Sequence, residues 1–291
     1  MSEPEQPKHR ASDFNTSTFP TWCPGCGDFG IWAALKNALV ELGREPHDTV
    51  VVYGIGCSGN MANNVNTYAF HGLHGRPVPV AEGIKMANHG LTVIVIAGDG
   101  DGYGEGLGHF LHAVRGNADI TYIVHNNQVY GLTTGQTSPT SDKGYKSKST
   151  PHGVIEEPIN PISLALGASG TFVARGYAGD IKHLTSLIVQ GVQHKGFSLI
   201  DVFQPCVTFN KINTHLWFQK MTVKLEEMGH DPSNREAAIQ QAFRRDQLPI
   251  GLYYKEDRPA YHEQLSQIAE TPLVEHPLEP LTFDELQKEF M

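Results

Sequence analysis

The chain has 291 residues, of which 22 are Lys or Arg and 31 are Asp or Glu, so its formal net charge is −9. Forty per cent of the residues are hydrophobic and 18% are charged, values typical of a globular protein with a large buried core. The acidic balance argues against a general nucleic-acid-binding protein, which would show a basic stripe. No apolar run reaches the ~18–20 residues of a membrane span, and residues 1–20 lack the apolar stretch of a signal peptide. We therefore expect a cytoplasmic protein with neither nucleic acid nor membrane as a partner.

Helical and strand patterns alternate along most of the chain, after residues 1–21, which we expect to form an exposed N-terminal arm. The clearest strand is 91–97, which is almost wholly apolar, as expected for a strand covered on both faces. The predicted helices are 28–42, 80–88, 106–115, 161–168 and 180–194, and the predicted strands are 49–53, 91–97, 120–124, 171–174 and 198–202. This order predicts an α/β fold with a doubly wound, mostly parallel sheet within residues 22–212.

The pattern changes beyond Cys206, and we assign residues 213–291 to a C-terminal extension. Two charged amphipathic segments, 213–229 and 234–245, predict helices, and 250–254 predicts an edge strand. The end of the chain is acidic and proline-spaced. We expect it to be a tail that packs on the body or on a partner subunit.

Three of the predicted strands run into glycine-rich or polar loops, 54–59, 98–104 and 126–136. Ligands of parallel sheets bind at the carboxyl ends of the strands, where these loops lie. Asp99 stands between Gly98 and Gly100, and Asn127 follows the next strand. A carboxylate and an amide oxygen suit Mg²⁺, and glycines let the backbone approach phosphate closely. The pattern predicts a diphosphate held through Mg²⁺, with a simple Gly-Asp-Gly turn as the alternative.

The cysteines are Cys23, Cys26, Cys57 and Cys206, too few for a disulfide scaffold in a chain of this length. Cys23 and Cys26 belong to a Cys-Pro-Gly-Cys turn, Cys57 lies in a glycine-rich loop, and Cys206 follows another predicted strand. Thiolates at one edge of a sheet favour a four-coordinate sulfur site. The spacing leaves structural zinc, a [4Fe–4S] cluster, a dithiol couple and plain buried thiols open.

Both motifs occur together in a combination that resembles the β subunit of the 2-oxoacid:ferredoxin oxidoreductases, especially the 2-oxoglutarate type. The resemblance extends from about residue 22 to residue 209 and continues less distinctly through 254–256. The matching stretches are 22–27 (WCPGCG), 54–58 (GIGCS), 74–76 (HGR), 98–100 (GDG), 126–140 (NNQVYGLTTGQTSPT) and 204–206 (QPC). The resemblance favours [4Fe–4S] among the possibilities for the sulfur site.

This resemblance implies a pyrophosphate-type domain, within residues 22–212, that binds thiamine diphosphate, Mg²⁺ and one [4Fe–4S] cluster. The implied reaction is the oxidative decarboxylation of a 2-oxoacid, foremost 2-oxoglutarate to succinyl-CoA and CO₂, with coenzyme A as co-substrate. Electrons pass through the cluster to ferredoxin, and the reaction also has a reductive direction. The same chemistry on pyruvate or another 2-oxoacid is the alternative.

Matched position by position, the resemblance implies that Cys23, Cys26, Cys57 and Cys206 are the cluster ligands. It likewise implies that Asp99, Asn127 and the Val129 carbonyl bind Mg²⁺. The implied cofactor contacts are Ile55, Gly56, Cys57, Ser58, His74, Gly75, Arg76, Gly98, Asp99, Gly100, Asp101, Asn127, Val129, Gly131, Leu132 and Thr133.

A partner subunit is implied as well. No acidic residue here stands in a motif that matches the activating glutamate of thiamine enzymes, and the family places that residue on the partner. We therefore expect no catalytic residue in this chain and activity only with an α (or fused γα) subunit, in a heterodimer or a dimer of heterodimers. Two other classes stay open: a non-redox thiamine diphosphate enzyme with structural zinc, and a zinc-bound interaction module, which would leave Asp99 and Asn127 without a purpose.

Overall fold

The computed structural model describes residues 9–277 and 282–291, which form ten strands and eight α-helices. The strands are β1 (Thr49–Tyr53), β2 (Tyr68–His71), β3 (Thr92–Gly98), β4 (Thr121–Asn126), β5 (Val129–Tyr130), β6 (Gln136–Thr137), β7 (Phe172–Tyr177), β8 (Ser198–Phe203), β9 (Thr222–Lys224) and β10 (Leu248–Lys255). The helices are α1 (Asp28–Glu41), α2 (Pro77–Ala87), α3 (Leu107–Gly116), α4 (Pro161–Gly167), α5 (Ile181–Gln193), α6 (His215–Met221), α7 (Arg235–Ala242) and α8 (Phe283–Glu289).

Eight of the strands form one sheet in the order β2-β1-β3-β4-β8-β7-β10-β9. The six strands from β2 to β7 in this order are parallel, β10 is antiparallel to β7, and β9 is parallel to β10. The two short strands β5 and β6 form a separate hairpin. The predicted α/β fold with a mostly parallel sheet is therefore confirmed.

Helices cover both faces of the sheet, which explains why the central strands are mainly apolar on both faces. Along β3, Val93 and Val95 pack into the cluster that includes α2, α3, α4 and α7, whereas Ile94 and Ile96 pack into the opposite cluster with α1 and α5. Successive side chains of a strand point to opposite faces, so a strand covered on both sides needs apolar residues at every position.

The C-terminal extension differs from the prediction. Within 213–229 only α6 is helical, and it is followed directly by β9. The strand predicted at 250–254 is not an edge strand, because β10 lies between β7 and β9. The extension thus adds two strands, β10 and β9, to the sheet.

The N-terminal stretch also differs, since the predicted exposed arm packs on the body where it is described. Ala11–Phe14 form a 3₁₀ helix, and Phe14 is fully buried in the cluster that contains α1. The backbone N–H of Asn66 donates to the Phe14 carbonyl at 2.9 Å. Residues 1–8 of that prediction lie outside the described residues.

Part of the predicted tail packs on the body as well. The N–H of Tyr261 donates to the carbonyl of Asn117, whose side-chain amide donates to the Pro259 carbonyl at 3.0 Å. Residues 278–281 lie outside the described part, and beyond them the α8 side chains from Phe283 to Lys288 are exposed. No helix in the described ranges combines the length and the apolar character that a membrane crossing requires.

Candidate cofactor and cluster site

The carboxyl ends of β1, β3 and β4 meet at a cavity of about 90 Å³. All of the predicted cofactor contacts line this cavity except Gly75 and Arg76, and the structure adds His125 and Tyr130. Gly75 contributes through its backbone instead, as described below. Arg76 donates to the carbonyls of Gly75 and Glu105 at 3.2 and 2.8 Å, so its guanidinium supports the loop and does not line the cavity.

Asp99 is the buried carboxylate of this cavity, with only 1% of its surface exposed. Its Oδ2 accepts hydrogen bonds from the hydroxyls of Ser138 and Thr140, at 2.5 and 2.6 Å. Burial raises the pKa of Asp99 to about 6, although both hydroxyls oppose the shift. Among the described residues no Lys, Arg or His pairs with Asp99, so the site has a negative group suited to a divalent cation.

Asn127 and Val129 stand beside this carboxylate at the end of β4. The N–H of Asn127 lies 3.4 Å from Oδ1 of Asp99, and the Asn127 side-chain oxygen accepts the Val129 N–H at 3.0 Å. Gln128 between them adopts a positive φ of 62°, which makes the sharp turn after the strand. The three predicted Mg²⁺ ligands are thus neighbours in the fold, and their oxygen donors fit a magnesium ion.

Asp101, which lines the cavity, connects its own loop with the loops of Ile55 and Gly75. Its Oδ1 accepts the backbone N–H groups of Ile55 and Gly75 at 3.1 and 2.8 Å, and Nδ1 of His74 lies 2.8 Å away. Burial raises the pKa of Asp101, and these N–H groups counteract it. A side chain at Gly54 would collide with this carboxylate, so that position requires glycine.

A second cavity, of about 220 Å³, is lined by the predicted cluster cysteines Cys23, Cys26, Cys57 and Cys206 together with Asp28 and Gln204. All four are free thiols. Trp22 donates its indole N–H to the Cys57 carbonyl at 2.7 Å, and the Gln204 amide donates to Sγ of Cys26 at 3.1 Å. Cys57, Asn127, Gly131 and Leu132 line both cavities, so the predicted cluster site and the predicted diphosphate site are neighbours that share two loops.

Four cysteine sulfurs line this second cavity, a donor set that suits zinc or an iron–sulfur cluster. In residues 9–277 and 282–291, no three or more His, Cys, Asp or Glu side chains are arranged to hold one metal ion. Burial raises the pKa of Cys57 to about 12 and that of Cys26 further, with the Asp28 carboxylate as the next cause. Metal binding there must therefore release protons.

The sequence analysis missed several residues that line the cavities or contact their lining. Ser138 and Thr140 lie in the matching stretch 126–140, which gave no role for them. Tyr130 donates its hydroxyl to the Gly100 carbonyl at 3.2 Å, and burial raises its pKa to about 12. His125 bonds to Asp28 at 2.6 Å, and neither residue carries a sequence signal because the pair joins distant segments.

Comparison with known protein families gives two matches. Residues 54–202, about half of the chain, match the family described as thiamine pyrophosphate enzyme, C-terminal TPP binding domain. Residues 206–270 match the family described as pyruvate ferredoxin oxidoreductase β subunit, C terminal. The first match contains Asp99, Asn127 and Val129, and the second begins at Cys206.

Individual proteins are similar over most of the chain. A 2-oxoacid:ferredoxin oxidoreductase subunit β from Sulfolobus is 46% identical over 264 residues, which cover 86% of this chain and 87% of the relative. The 2-oxoglutarate oxidoreductase subunit KorB of Mycobacterium tuberculosis is 43% identical over 71% of this chain and 55% of its own length. A solved 2-oxoglutarate:ferredoxin oxidoreductase from Magnetococcus marinus, with 2-oxoglutarate, coenzyme A and succinyl-CoA bound, matches with a TM-score of 0.88 and 38% identity, covering 91% of both chains.

Proposed function

Because the chain belongs to the family of 2-oxoacid:ferredoxin oxidoreductase β subunits, we propose that its substrate is 2-oxoglutarate and its product succinyl-CoA. The observation that supports the redox reaction is the position of Cys57, in one of two loops that border both the Asp99 cavity and the four-cysteine cavity; Asn127, Gly131 and Leu132 of the other loop also line both. Occupants of the two cavities would therefore be neighbours, as electron transfer between them requires. Family membership favours this over a non-redox thiamine enzyme or a zinc-bound interaction module.

The reaction consumes a 2-oxoacid anion and the thiol of coenzyme A and yields an acyl-CoA, CO₂, one proton and two electrons. Thiamine diphosphate, when bound, supplies the electron sink that decarboxylation needs. In this chain, Asp99, Asn127 and the Val129 carbonyl hold Mg²⁺ on the diphosphate. Cys23, Cys26, Cys57 and Cys206 would hold a [4Fe–4S] cluster, which would supply one-electron transfer towards ferredoxin.

The substrate assignment rests on the relatives. KorB proteins carry 2-oxoglutarate in their names, and the solved structure from Magnetococcus marinus contains that substrate with its product. The 2-oxoacid:ferredoxin oxidoreductases among the relatives leave pyruvate as the second candidate. Reductive carboxylation is the same reaction in the opposite direction.

The partner subunit is needed to complete the site. A cavity of about 90 Å³ is smaller than the roughly 300–1,000 Å³ pockets that enclose a whole cofactor-sized ligand, so this chain forms only one wall. We propose that the α or γα subunit supplies the other wall and the activating glutamate, in a heterodimer or a dimer of heterodimers. Four free thiols suit a reducing compartment and support a cytoplasmic location.

The proposal is tested by anaerobic co-expression of this chain with its α subunit. The purified complex should be brown, with a broad absorption near roughly 400 nm typical of the cluster. It should reduce a viologen dye with 2-oxoglutarate plus coenzyme A, faster than with pyruvate. The matched control is Cys57→Ser, which removes one cluster ligand and should leave the complex pale and inactive.

Each other outcome changes a specific part of the proposal. A brown complex that is active only with pyruvate would keep the reaction and replace the substrate. A colourless complex that contains zinc and shows no coenzyme A-dependent dye reduction would remove the iron–sulfur cluster and the redox reaction together.

A further inference from the structure

A buried hydrogen-bonded pair, Asp28 and His125, lies between the two cavities. Asp28 is the first residue of α1 and stands two positions after Cys26, and His125 is the penultimate residue of β4. Nδ1 of His125 lies 2.6 Å from Oδ1 of Asp28, and the two residues are 1% and 0% exposed. The pair therefore joins the helix layer to the centre of the sheet without contact with solvent.

The two members of the pair face different cavities. Asp28 lines the four-cysteine cavity, and its second oxygen, Oδ2, lies 3.2 Å from Sγ of Cys26. His125 lines the Asp99 cavity, and its Nε2 is buried with no hydrogen-bond partner among the described residues. The hydroxyl of Ser58, which lines the same cavity, is likewise buried and unpartnered.

Neither arrangement is explained by packing alone. A buried polar atom without a partner costs free energy, so the orphaned Nε2 indicates a ligand that supplies a hydrogen bond. A buried carboxylate is costly too, and the hydrogen bond with His125 offsets this cost for Asp28, next to a predicted sulfur ligand. Negative charge and hydrogen bonding near the sulfurs are what set the reduction potential of an iron–sulfur cluster.

We propose that the Asp28–His125 pair connects the two cofactor sites of this chain. The Asp28 carboxylate, next to Cys26, lowers the reduction potential of the cluster, and His125, oriented by Asp28, hydrogen-bonds the bound thiamine diphosphate–Mg²⁺ complex through Nε2. The inference rests on the proposed function, since it takes the cluster and the thiamine cofactor as the occupants of the two cavities. Asp28 is a positioning residue, and His125 is a binding residue.

Two conservative variants separate the two roles. Asp28→Asn removes the charge and keeps the shape, whereas His125→Asn keeps a donor for Asp28 and removes the nitrogen that faces the Asp99 cavity. The control is Asp180→Asn, because Asp180 caps α5, pairs with Lys224 at 2.8 Å and lines neither of these cavities. All three are made in the complex with the α subunit.

Two quantities are measured besides turnover. The midpoint potential of the cluster comes from a redox titration followed by electron paramagnetic resonance, and the dissociation constant of thiamine diphosphate comes from calorimetry with excess Mg²⁺. We expect Asp28→Asn to shift the potential to a more positive value. We expect His125→Asn to leave the potential in place and to raise the dissociation constant about tenfold, the effect of one lost hydrogen bond. Asp180→Asn should change neither quantity.

The outcomes distinguish this inference from the function on which it rests. An unchanged potential in Asp28→Asn, or unchanged cofactor affinity in His125→Asn, overturns the corresponding half of the inference. If the wild-type complex shows no cluster signal, the proposed function itself fails. Asp28→Ser also removes the charge and must shift the potential in the same direction. If Asp28→Asn takes up no cluster, the potential is measured in Asp28→Ser instead.

Discussion

The hydroxyl of Thr140 lies 2.6 Å from Oδ2 of Asp99, although 41 residues separate the two in the sequence. The hydroxyl of Ser138 reaches the same oxygen at 2.5 Å. The turn after β6 therefore fixes the carboxylate that follows β3. Its two hydroxyls stabilise a buried charge for which the described residues offer no cationic partner.

Replacing this hydroxyl should weaken cofactor binding. Thr140→Val keeps the shape of the side chain and removes one donor to Asp99, so we expect the dissociation constant of thiamine diphosphate with Mg²⁺ to rise about tenfold or more. The matched control is Thr137→Val, because the Thr137 hydroxyl lies 3.2 Å from that of Thr150 and does not reach Asp99. Calorimetry on the αβ complex measures both. Equal effects of the two substitutions would show that the contact with Asp99 is unimportant.

Two glycines should respond to alanine in opposite directions. A Cβ at Gly102, in the π-helix Gly100–Glu105 behind the cavity, would collide with the hydroxyl of Tyr122, whose ring is held by Phe110 and Phe197. Gly83, in α2, has open space around it. We expect Gly102→Ala to destabilise the chain by about 1–3 kcal/mol and Gly83→Ala to stabilise it by about 0.5–1 kcal/mol. Urea unfolding measures both, and a stabilised Gly102→Ala would contradict the packing described here.

Stability should fall in mild acid because of one buried histidine. Burial lowers the pKa of His194 from 6.5 to about 4, and its Nε2 lies 2.9 Å from the Thr171 hydroxyl. Between these values the unfolded chain takes up a proton that folded His194 does not. The folded state therefore loses about 2 kcal/mol between pH 7.5 and pH 5.

The variant His194→Gln isolates this contribution. It keeps a group that can bond to Thr171 and has no charge to gain. Between pH 7.5 and pH 5 the free energy of unfolding in urea should fall less for the variant than for the wild type. The two decreases should differ by about 2 kcal/mol. Identical pH profiles for the two proteins would mean that His194 takes up its proton equally in the folded and unfolded states.

One of the two edges of the sheet, strand β2, is a predicted contact with the partner subunit. In β2, Tyr68 and Phe70 are exposed, and Leu73 follows with 78% of its surface exposed. The strand ends beside the cavity, where Nε2 of His71 lies 3.0 Å from the Gly54 carbonyl. We expect Phe70→Asp to weaken association with the α subunit, because a buried unpaired carboxylate is costly. Phe243→Asp, at an exposed phenylalanine after α7, is the control, and size-exclusion chromatography of both complexes is the measurement.

The sequence predicted the central strands and the loops that meet at the Asp99 cavity, because these depend on local patterns. The run that became β3 is almost wholly apolar, and Asp99 and Asn127 follow two neighbouring strands directly. Long-range pairings leave no such pattern. The antiparallel addition of β10 to β7, and the contact of Asp28 with His125 across 97 residues, depend on how distant segments meet. The strand β2 was missed because it is short and exposed at all four residues.

The placement of β10 has a consequence for the synthesis of the chain. Until residues 248–255 have left the ribosome, β7 has no neighbour on one side, and its backbone N–H and C=O groups form an open edge lined by apolar side chains. Such an edge is a template for pairing with other chains. A nascent or prematurely ended chain that lacks β10 would therefore be prone to aggregate, even though every proposed ligand of the cluster and of the magnesium ion precedes it. The strand β10 is thus synthesised after all the proposed ligands, and its pairing with β7 protects the sheet from aggregation.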